Sequence, residues 1–264
     1  MSERSGRRPK ARPRKKIGKV GLIGFGAFGR LIAAHLGPLF PIFAYDPQIA
    51  PDGREPPKGV TFCDVATAAA CDVIILAMPV PRLGAAIAAI KPHLRPGAVV
   101  IDVCSVKVLP AQIMSAELPE TVEIIGTHPM FGPQSARGGV KGLKIVICPI
   151  RGGRARLLAA FLRKTFGLDA IIATPEEHDR EAAMVQGLTH LIAKVLVEME
   201  PLPSHMTTAS FDLLMRAVDM VRHDAPEVFY AIERLNPFVP DVRRRFFGLA
   251  ADLADALEKN GGEK

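Results

Sequence analysis

Long apolar runs are missing from this chain of 264 residues. Each is interrupted within about ten residues by Pro, Gly or charge, short of the roughly 18 to 20 needed to cross a bilayer, so no transmembrane helix is expected. Cysteine is scarce. The four residues Cys63, Cys71, Cys104 and Cys148 show neither CxxC pairing nor histidine at ligand spacing, which excludes a disulfide framework and gives no reason to expect metal. Reduced thiols in a cytoplasmic setting are the simplest reading. Acidic residues are nearly absent from the first 19 positions, where nine Lys and Arg stand against Glu3, whereas the whole chain carries +7. The remainder is therefore close to neutral. Residues 1–16 also lack apolar character, so a solvated, disordered basic tail is expected, with no apolar core for a secretory signal. Its Arg-rich composition is shared with organellar transit peptides, whose amphipathic pattern it lacks. Aromatic residues do not interleave these cations, which argues against dedicated nucleic-acid recognition.

What remains is an ordinary globular composition, 48% apolar and 23% charged, with enough residues for one large or two modest domains. The apolar run 19–23 leads into Gly24-Phe25-Gly26-Ala27-Phe28-Gly29 and then into a helical pattern, giving strand, glycine turn, helix. Further strands are expected at 41–46, 72–77, 98–103, 122–126, 143–148 and 168–173, with Ala-rich helix over 82–90 and helix again over 155–164. Near-continuous apolar strands alternating with helices point to an α/β domain of Rossmann type with a mostly parallel sheet. After Thr174-Pro175 only helices are expected, over 176–200, 207–222, 226–235 and 239–258. Thr174 and Glu177 stand at capping-box spacing around Pro175. The expected organisation is thus a tail (1–16), a dinucleotide-binding domain (17–174) and a small all-helical domain (175–264).

A glycine triplet alone is a weak signal, but here it follows a strand, opens a helix, and precedes Asp46 by 22 residues. Gly24 permits the tight turn, Gly26 lets backbone amides approach a pyrophosphate, and Gly29 allows close packing, with Phe25, Ala27 and Phe28 completing the loop. The implied cofactor is NAD, because Asp46 could grip the ribose hydroxyls and repel a 2′-phosphate. NADP stays open through nearby Arg54, and Asp46 could equally be a turn residue before Pro47. Pro79, just past a buried strand, could line the same cleft or be a plain loop proline. Two clusters, Asp102 to Lys107 and Thr127 to Pro133, follow expected strands, where ligands of open α/β sheets bind. A histidine held by the following proline, His128, suits acid–base work. Gln186 and His190 are expected to share a helix face beside Gly187.

The glycine turn, these two clusters, Glu177-His178-Asp179 leading to Gln186-Gly187-Leu188-Thr189-His190, and Ser210-Phe211-Asp212-Leu213 occur in this order over about residues 17–235. Together they resemble the prephenate/arogenate (cyclohexadienyl) dehydrogenases of tyrosine biosynthesis, particularly a plant-like branch. The resemblance implies oxidative decarboxylation of prephenate or arogenate with NAD(P)⁺, without metal. It implies His128 as base, with Ser105 hydrogen-bonding to the substrate hydroxyl or to His128 and lying beside the cofactor. His190 would touch the substrate, at its ring carboxylate, although a core histidine is the bland alternative. Gln186, on the same face, would bind the substrate with it, and Lys107 would supply charge or support near the substrate unless it faces solvent. Family members use an arginine to grip the side-chain carboxylate; Arg216 is nearest in pattern, with Arg222 and Arg137 behind it. Gln134 follows the His-Pro-Met-Phe-Gly-Pro element and could contact cofactor or substrate. A homodimer through the helical domain is implied, consistent with the apolar face of Leu188, Leu191, Ile192, Val195 and Leu196. The competing reading is another two-domain enzyme, of β-hydroxyacid dehydrogenase or pyrroline-carboxylate reductase type. The former relies on a helix lysine, for which Lys194 is the candidate. A base such as His128 would place the acid limb of activity near pH 6.5.

Overall fold

The computed structural model describes residues 18–48 and 56–260. The basic tail and Arg54 lie outside the described residues. Eight strands are present: β1 Val20–Ile23, β2 Ile42–Tyr45, β3 Val60–Phe62, β4 Val73–Leu76, β5 Val99–Asp102, β6 Glu123–Pro129, β7 Lys144–Arg151 and β8 Asp169–Ile172. They form one sheet in the order β3-β2-β1-β4-β5-β6-β7-β8. Neighbours are parallel except β6 and β7, which are antiparallel. That exception has a simple cause. A parallel return needs a crossover, usually a helix, and the connection from Met130 to Leu143 contains turns but no helix. The α/β, Rossmann-type, mostly parallel architecture expected from the sequence is the one observed.

All four residues of β1, β4 and β5 are buried, and their side chains alternate between two cores. Val73 and Ile75 pack with Ala33 of α1 (Ala27–Leu36) and Ala155 and Ala159 of α5 (Ala155–Phe166). Ile74 and Leu76 pack on the opposite face with α2 (Val65–Ala69), α3 (Leu83–Ile90) and α4 (Val108–Glu117). Each fully buried aliphatic side chain contributes about 1.5–3 kcal/mol, so this two-sided burial holds the sheet. The chain order reverses between β1 and β4, and the crevice beyond the carboxyl ends of those strands is where such sheets take ligands.

From Pro175 onward every described element is helical: α6 Pro175–Ala182, a π turn Ala183–Gly187, α7 Leu188–Glu198, α8 Ala209–Val221, α9 Pro226–Tyr230, a π turn Ala231–Leu235 and α10 Val239–Asn260. The capping box at α6 is made, with Thr174 Oγ1 accepting from Glu177 N at 3.1 Å and Glu177 Oε2 accepting from Thr174 N at 2.8 Å. The helix expected over 176–200 is continuous from Pro175 to Glu198, widened by the π turn at Ala183–Gly187. There Gly187 faces α10, and a Cβ on it would lie 3.2 Å from Val239 Cγ2. Among the described residues no helix is long and apolar enough to cross a membrane.

Candidate active site

The glycine turn is built by sterics. Gly24 has φ +98°, and a Cβ on it would lie 2.3 Å from the carbonyl oxygen of Ala77; a Cβ on Gly29 would lie 2.3 Å from that of Gly24. Gly26 differs, because a Cβ there would meet nothing within 4 Å. It caps α1 without a side-chain bond, and the first turn carries no acid. The helix thus presents free amides and its positive end to the crevice, a cradle suited to phosphate. Asp46, after β2, accepts Phe25 N on Oδ2 at 2.7 Å and Gln48 N on Oδ1 at 2.8 Å. It therefore serves its own turn and holds the glycine loop, with one lone pair of each oxygen left for a ligand hydroxyl. Phe25 is buried, in edge contact with Phe62 at 5.0 Å. Pro79 is exposed in the turn after β4.

His128 lies within β6 rather than after it, a correction to the expected boundary at Gly126. The longer strand follows from pairing with β7, where His128 stands opposite Val146 and Pro129 opposite Ile145. Pairing with β5 ends at Gly126, so the strand projects past its neighbour, and Pro129 removes no ladder donor on that side. Phe131 then packs against Phe28 with ring centroids 6.4 Å apart, which brings the His-Pro-Met-Phe-Gly-Pro loop against the glycine turn.

His128 is buried, and its Nδ1 is 2.8 Å from Nε2 of His178, whose Nδ1 is 2.7 Å from Oδ1 of Asp179. Asp179 is fully buried and accepts Lys107 N on Oδ1 at 2.7 Å and Val108 N on Oδ2 at 2.9 Å. These are the first amides of α4, so the carboxylate sits on a helix N-terminus that favours its charge. The donor sense of the chain follows. An ionised Asp179 accepts from His178 Nδ1–H; His178 Nε2 then accepts from His128 Nδ1–H, and His128 Nε2 keeps a lone pair. Among the described residues nothing engages Nε2. Burial first, then His178 and Lys107, hold the His128 imidazole well below its ordinary value. It is neutral at neutral pH, and an acid limb belongs below pH 6.5 rather than near it.

Ser105 is half-buried in the loop after β5 and is not hydrogen-bonded to His128, whose Nδ1 meets His178. Lys107 does not face solvent or the crevice: its ammonium is buried, donating to Asp102 Oδ2 and, at 2.6 Å, to Thr127 O. That places it as support beneath His128 and removes it from substrate contact. Arg216 is exposed on α8, while Arg222 is held by Glu200 and, at 3.1 Å, by Asp219. Arg137 and Gln134 are exposed in the loop after β6.

His190 on α7 is buried, its ring tilted against that of Phe229 with centroids 6.3 Å apart, and its Nε2 lies 3.9 Å from Oδ2 of Asp224; burial holds its imidazole below the ordinary value. One turn earlier, Gln186 Oε1 is buried without a hydrogen-bond partner among the described residues. Lys194 is exposed and paired with Glu198 at 3.0 Å, which removes the helix lysine a β-hydroxyacid dehydrogenase would need. Sequence reasoning assigned no role to His178, Asp179 or Asp224. The first two stood in view within Glu177-His178-Asp179, but their contact with His128 spans 50 residues. An apolar cavity of about 540 Å³ between α1 and α5 reaches Thr127 and Phe131 but none of His128, His178 and His190, and so is separate from this constellation.

Residues 43–151 match the family model for the nucleotide-binding domain of prephenate dehydrogenase. A protein of Methanocaldococcus jannaschii named "Probable arogenate/prephenate dehydrogenase" is 26% identical over 203 residues, 73% of this chain and 45% of its own length. Chloroplastic arogenate dehydrogenase 2 of Arabidopsis thaliana is 32% identical over 151 residues, 55% of this chain and 42% of its own. The chain thus spans under half the length of these relatives. In fold it is similar to a crystal structure of prephenate dehydrogenase from A. aeolicus in complex with hydroxyphenyl propionate and NAD⁺, with TM-score 0.70, 20% identity, and coverage of 94% of this chain and 93% of that one.

Proposed function

We propose that the chain belongs to the prephenate/arogenate dehydrogenase family, whose nucleotide-binding domain it matches over residues 43–151, and that it carries out NAD(P)⁺-dependent oxidative decarboxylation of prephenate or arogenate, giving 4-hydroxyphenylpyruvate or tyrosine. The observation that carries this reading is the buried chain Asp179–His178–His128, which delivers a neutral imidazole with one free nitrogen to the end of β6, on a loop packed against the glycine turn.

Gly24, Gly26, Gly29 and the first amides of α1 would hold the pyrophosphate, and Asp46 the ribose hydroxyls in preference to a 2′-phosphate. When bound, the nicotinamide supplies the hydride acceptor. The chain's own task is positioning and proton transfer. His128 Nε2 takes the hydroxyl proton as hydride leaves the carbinol carbon, and the positive charge developing on the ring is shared through His178 to Asp179. Ser105, whose hydroxyl no described residue holds, is free to bond the same substrate oxygen. His190 and Gln186 line the far end, at the ring carboxylate. Loss of carbon dioxide leaves an aromatic ring, so no metal is required to store electrons.

Residues 17–174 act in this reading as the nucleotide-binding domain and the helical remainder as the substrate and dimerisation domain. Leu191 packs within the chain, but Val195, Leu213 and Leu257 are 45%, 64% and 67% exposed. An apolar surface of this kind on helices supports a homodimer. A cytoplasmic location fits four free cysteines. The deciding assay is NADH formation from prephenate and from arogenate, side by side. No reduction with either substrate overturns the reading; turnover that His128→Asn abolishes sustains it.

A further inference from the structure

The two faces of the sheet are not packed alike, and the topology gives the reason. Three crossovers, through α2, α3 and α4, cover one face, whereas α1 and α5 cover the other. The link from β6 to β7 holds no helix, so β4, β5 and β6 send no crossover of their own to that second face. Burial differs residue by residue along the same strands. Ile74, Leu76 and Val100, on the face of α3 and α4, are 0% exposed, while Val73, Ile75 and Ile101, on the face of α1 and α5, keep 8%, 7% and 7%. Over these residues lies the apolar cavity of about 540 Å³, far larger than the water-sized voids that close-packed interiors leave. The rings of Phe40 and Phe161, 5.8 Å apart, and of His35 and Phe166, 6.0 Å apart, join its two helical sides.

We propose that this cavity is a binding site, separate from the reaction, for a small uncharged aromatic molecule. Its volume falls in the range of about 300–1,000 Å³ that encloses small ligands. The walls decide the chemistry. Three side chains in them are polar, and each is already engaged: Thr127 Oγ1 donates to Asp102 O at 2.6 Å, His35 Nδ1 to Leu31 O at 2.9 Å, and Arg154 pairs with Glu123 at 3.1 Å and donates to Gly97 O at 3.0 Å. A charged molecule would give up its water here and meet no unpaired countercharge. Aromatic character follows from the lining, which holds five of the chain's 13 phenylalanines; ring edges and faces at several angles suit a flat aromatic guest. Phe28 belongs to the glycine turn and Phe131 to the loop after His128, so the guest touches the elements that carry cofactor and base without entering either site.

Indole is a direct probe, because the chain has no Trp and indole emission can be followed without that background. It should bind one molecule per chain with a Kd of about 100 μM or tighter, and indole-3-acetate, the same rings with a carboxylate, at least about ten-fold more weakly. Leu158→Phe on α5 and Ile32→Phe on α1 enlarge side chains of the two opposite walls. Each should cut indole affinity at least about ten-fold while NAD⁺ affinity stays within about two-fold, and the thermal midpoint should rise, since filling a true void stabilises. Two variants from opposite sides guard against a local clash in one. Wild-type protein that binds no indole overturns the proposal, as does equal affinity for indole-3-acetate. Displacement of indole by saturating 4-hydroxyphenylpyruvate with NAD⁺ would put the probe in the reaction site and overturn it too. A filling variant that alters the mass by light scattering would mark the cavity as a contact between copies of the chain, which also overturns the assignment.

Discussion

Replacing His178 by Leu isolates the part of the site that geometry, rather than motif, brought to light. The substitution keeps approximate volume in a buried position and leaves Asp179 its two amide donors from Lys107 and Val108. It removes the acceptor of His128 Nδ1–H, 2.8 Å away. As His128 gains a proton in the transition state, that bond becomes charge-assisted, and such bonds are worth about 1.5–3 kcal/mol, or roughly 10- to 100-fold in kcat. Losing the base itself costs more, about 10² to 10⁴. His128→Asn should therefore be the more damaging variant, and the double variant should be no worse than His128→Asn, because the two act as one unit. Steady-state kinetics of the single and double variants measure the effect. An unchanged kcat in His178→Leu would refute the relay.

Other consequences separate folding from ligand binding. Gly24→Ala drives a methyl into the Ala77 carbonyl at positive φ and should lower stability by about 2–4 kcal/mol in urea melts, whereas Gly26→Ala, in open space, should leave the melt unchanged and weaken NAD⁺ binding at least about ten-fold by calorimetry. Lys107→Met strands the buried Asp102 carboxylate and should cost about 3–5 kcal/mol, since removing one partner of a buried pair leaves an uncompensated charge; a near-neutral variant would mean Asp102 is not ionised. Acid should destabilise the native state from about pH 6.5 downward, because His128 and His190 titrate lower in the folded chain than in the unfolded one, so the unfolded state binds more protons there and stability rises with pH, by up to about 1.4 kcal/mol per unit for each group. Flat stability between pH 5 and 7 would contradict both depressed imidazoles.

Legibility in the sequence followed the range of the interactions. The glycine turn was readable because Gly24, Gly26 and Gly29 act on backbone within a few residues, and β1, β4 and β5 because burial on both faces writes a continuous apolar run. The capping box at Thr174 and Glu177 is likewise local. β3 and α2 were not readable, being three and five residues long, too short for any period to declare itself. α4 was hidden by Pro110, which a first helical turn accepts because the missing amide is unbonded there anyway. The antiparallel β7 could not be told from a parallel strand by its own residues. The site divides in the same way. His128 was found through its motif, but the partner that fixes its tautomer lies 50 residues on. Lys107 was legible only as charge or support near the site; its partners Asp102 and Thr127 O, which bury it beneath His128, were not.

Asp179 explains why these parts cannot be adjusted singly. Its carboxylate holds the first amides of α4 and orients His178, while its backbone carbonyl accepts Asn236 Nδ2 at 2.7 Å, just ahead of α10. One residue thus ties a helix of the sheet layer to the helical region and to the base. The consequence is that His128 has its free nitrogen only when α4, α6 and the segment before α10 are seated together, and a shift of α6 by even one ångström breaks the 2.7 Å bond to Lys107 N at one end and the 2.8 Å bond to His128 at the other. The catalytic protonation state is in this sense a property of the assembled fold. An Asp179→Asn exchange would place an amide donor against Val108 N or Lys107 N, both donors themselves, so loss of helix seating and loss of the base should appear together. His178→Leu, which spares the seating, should remove the second without the first.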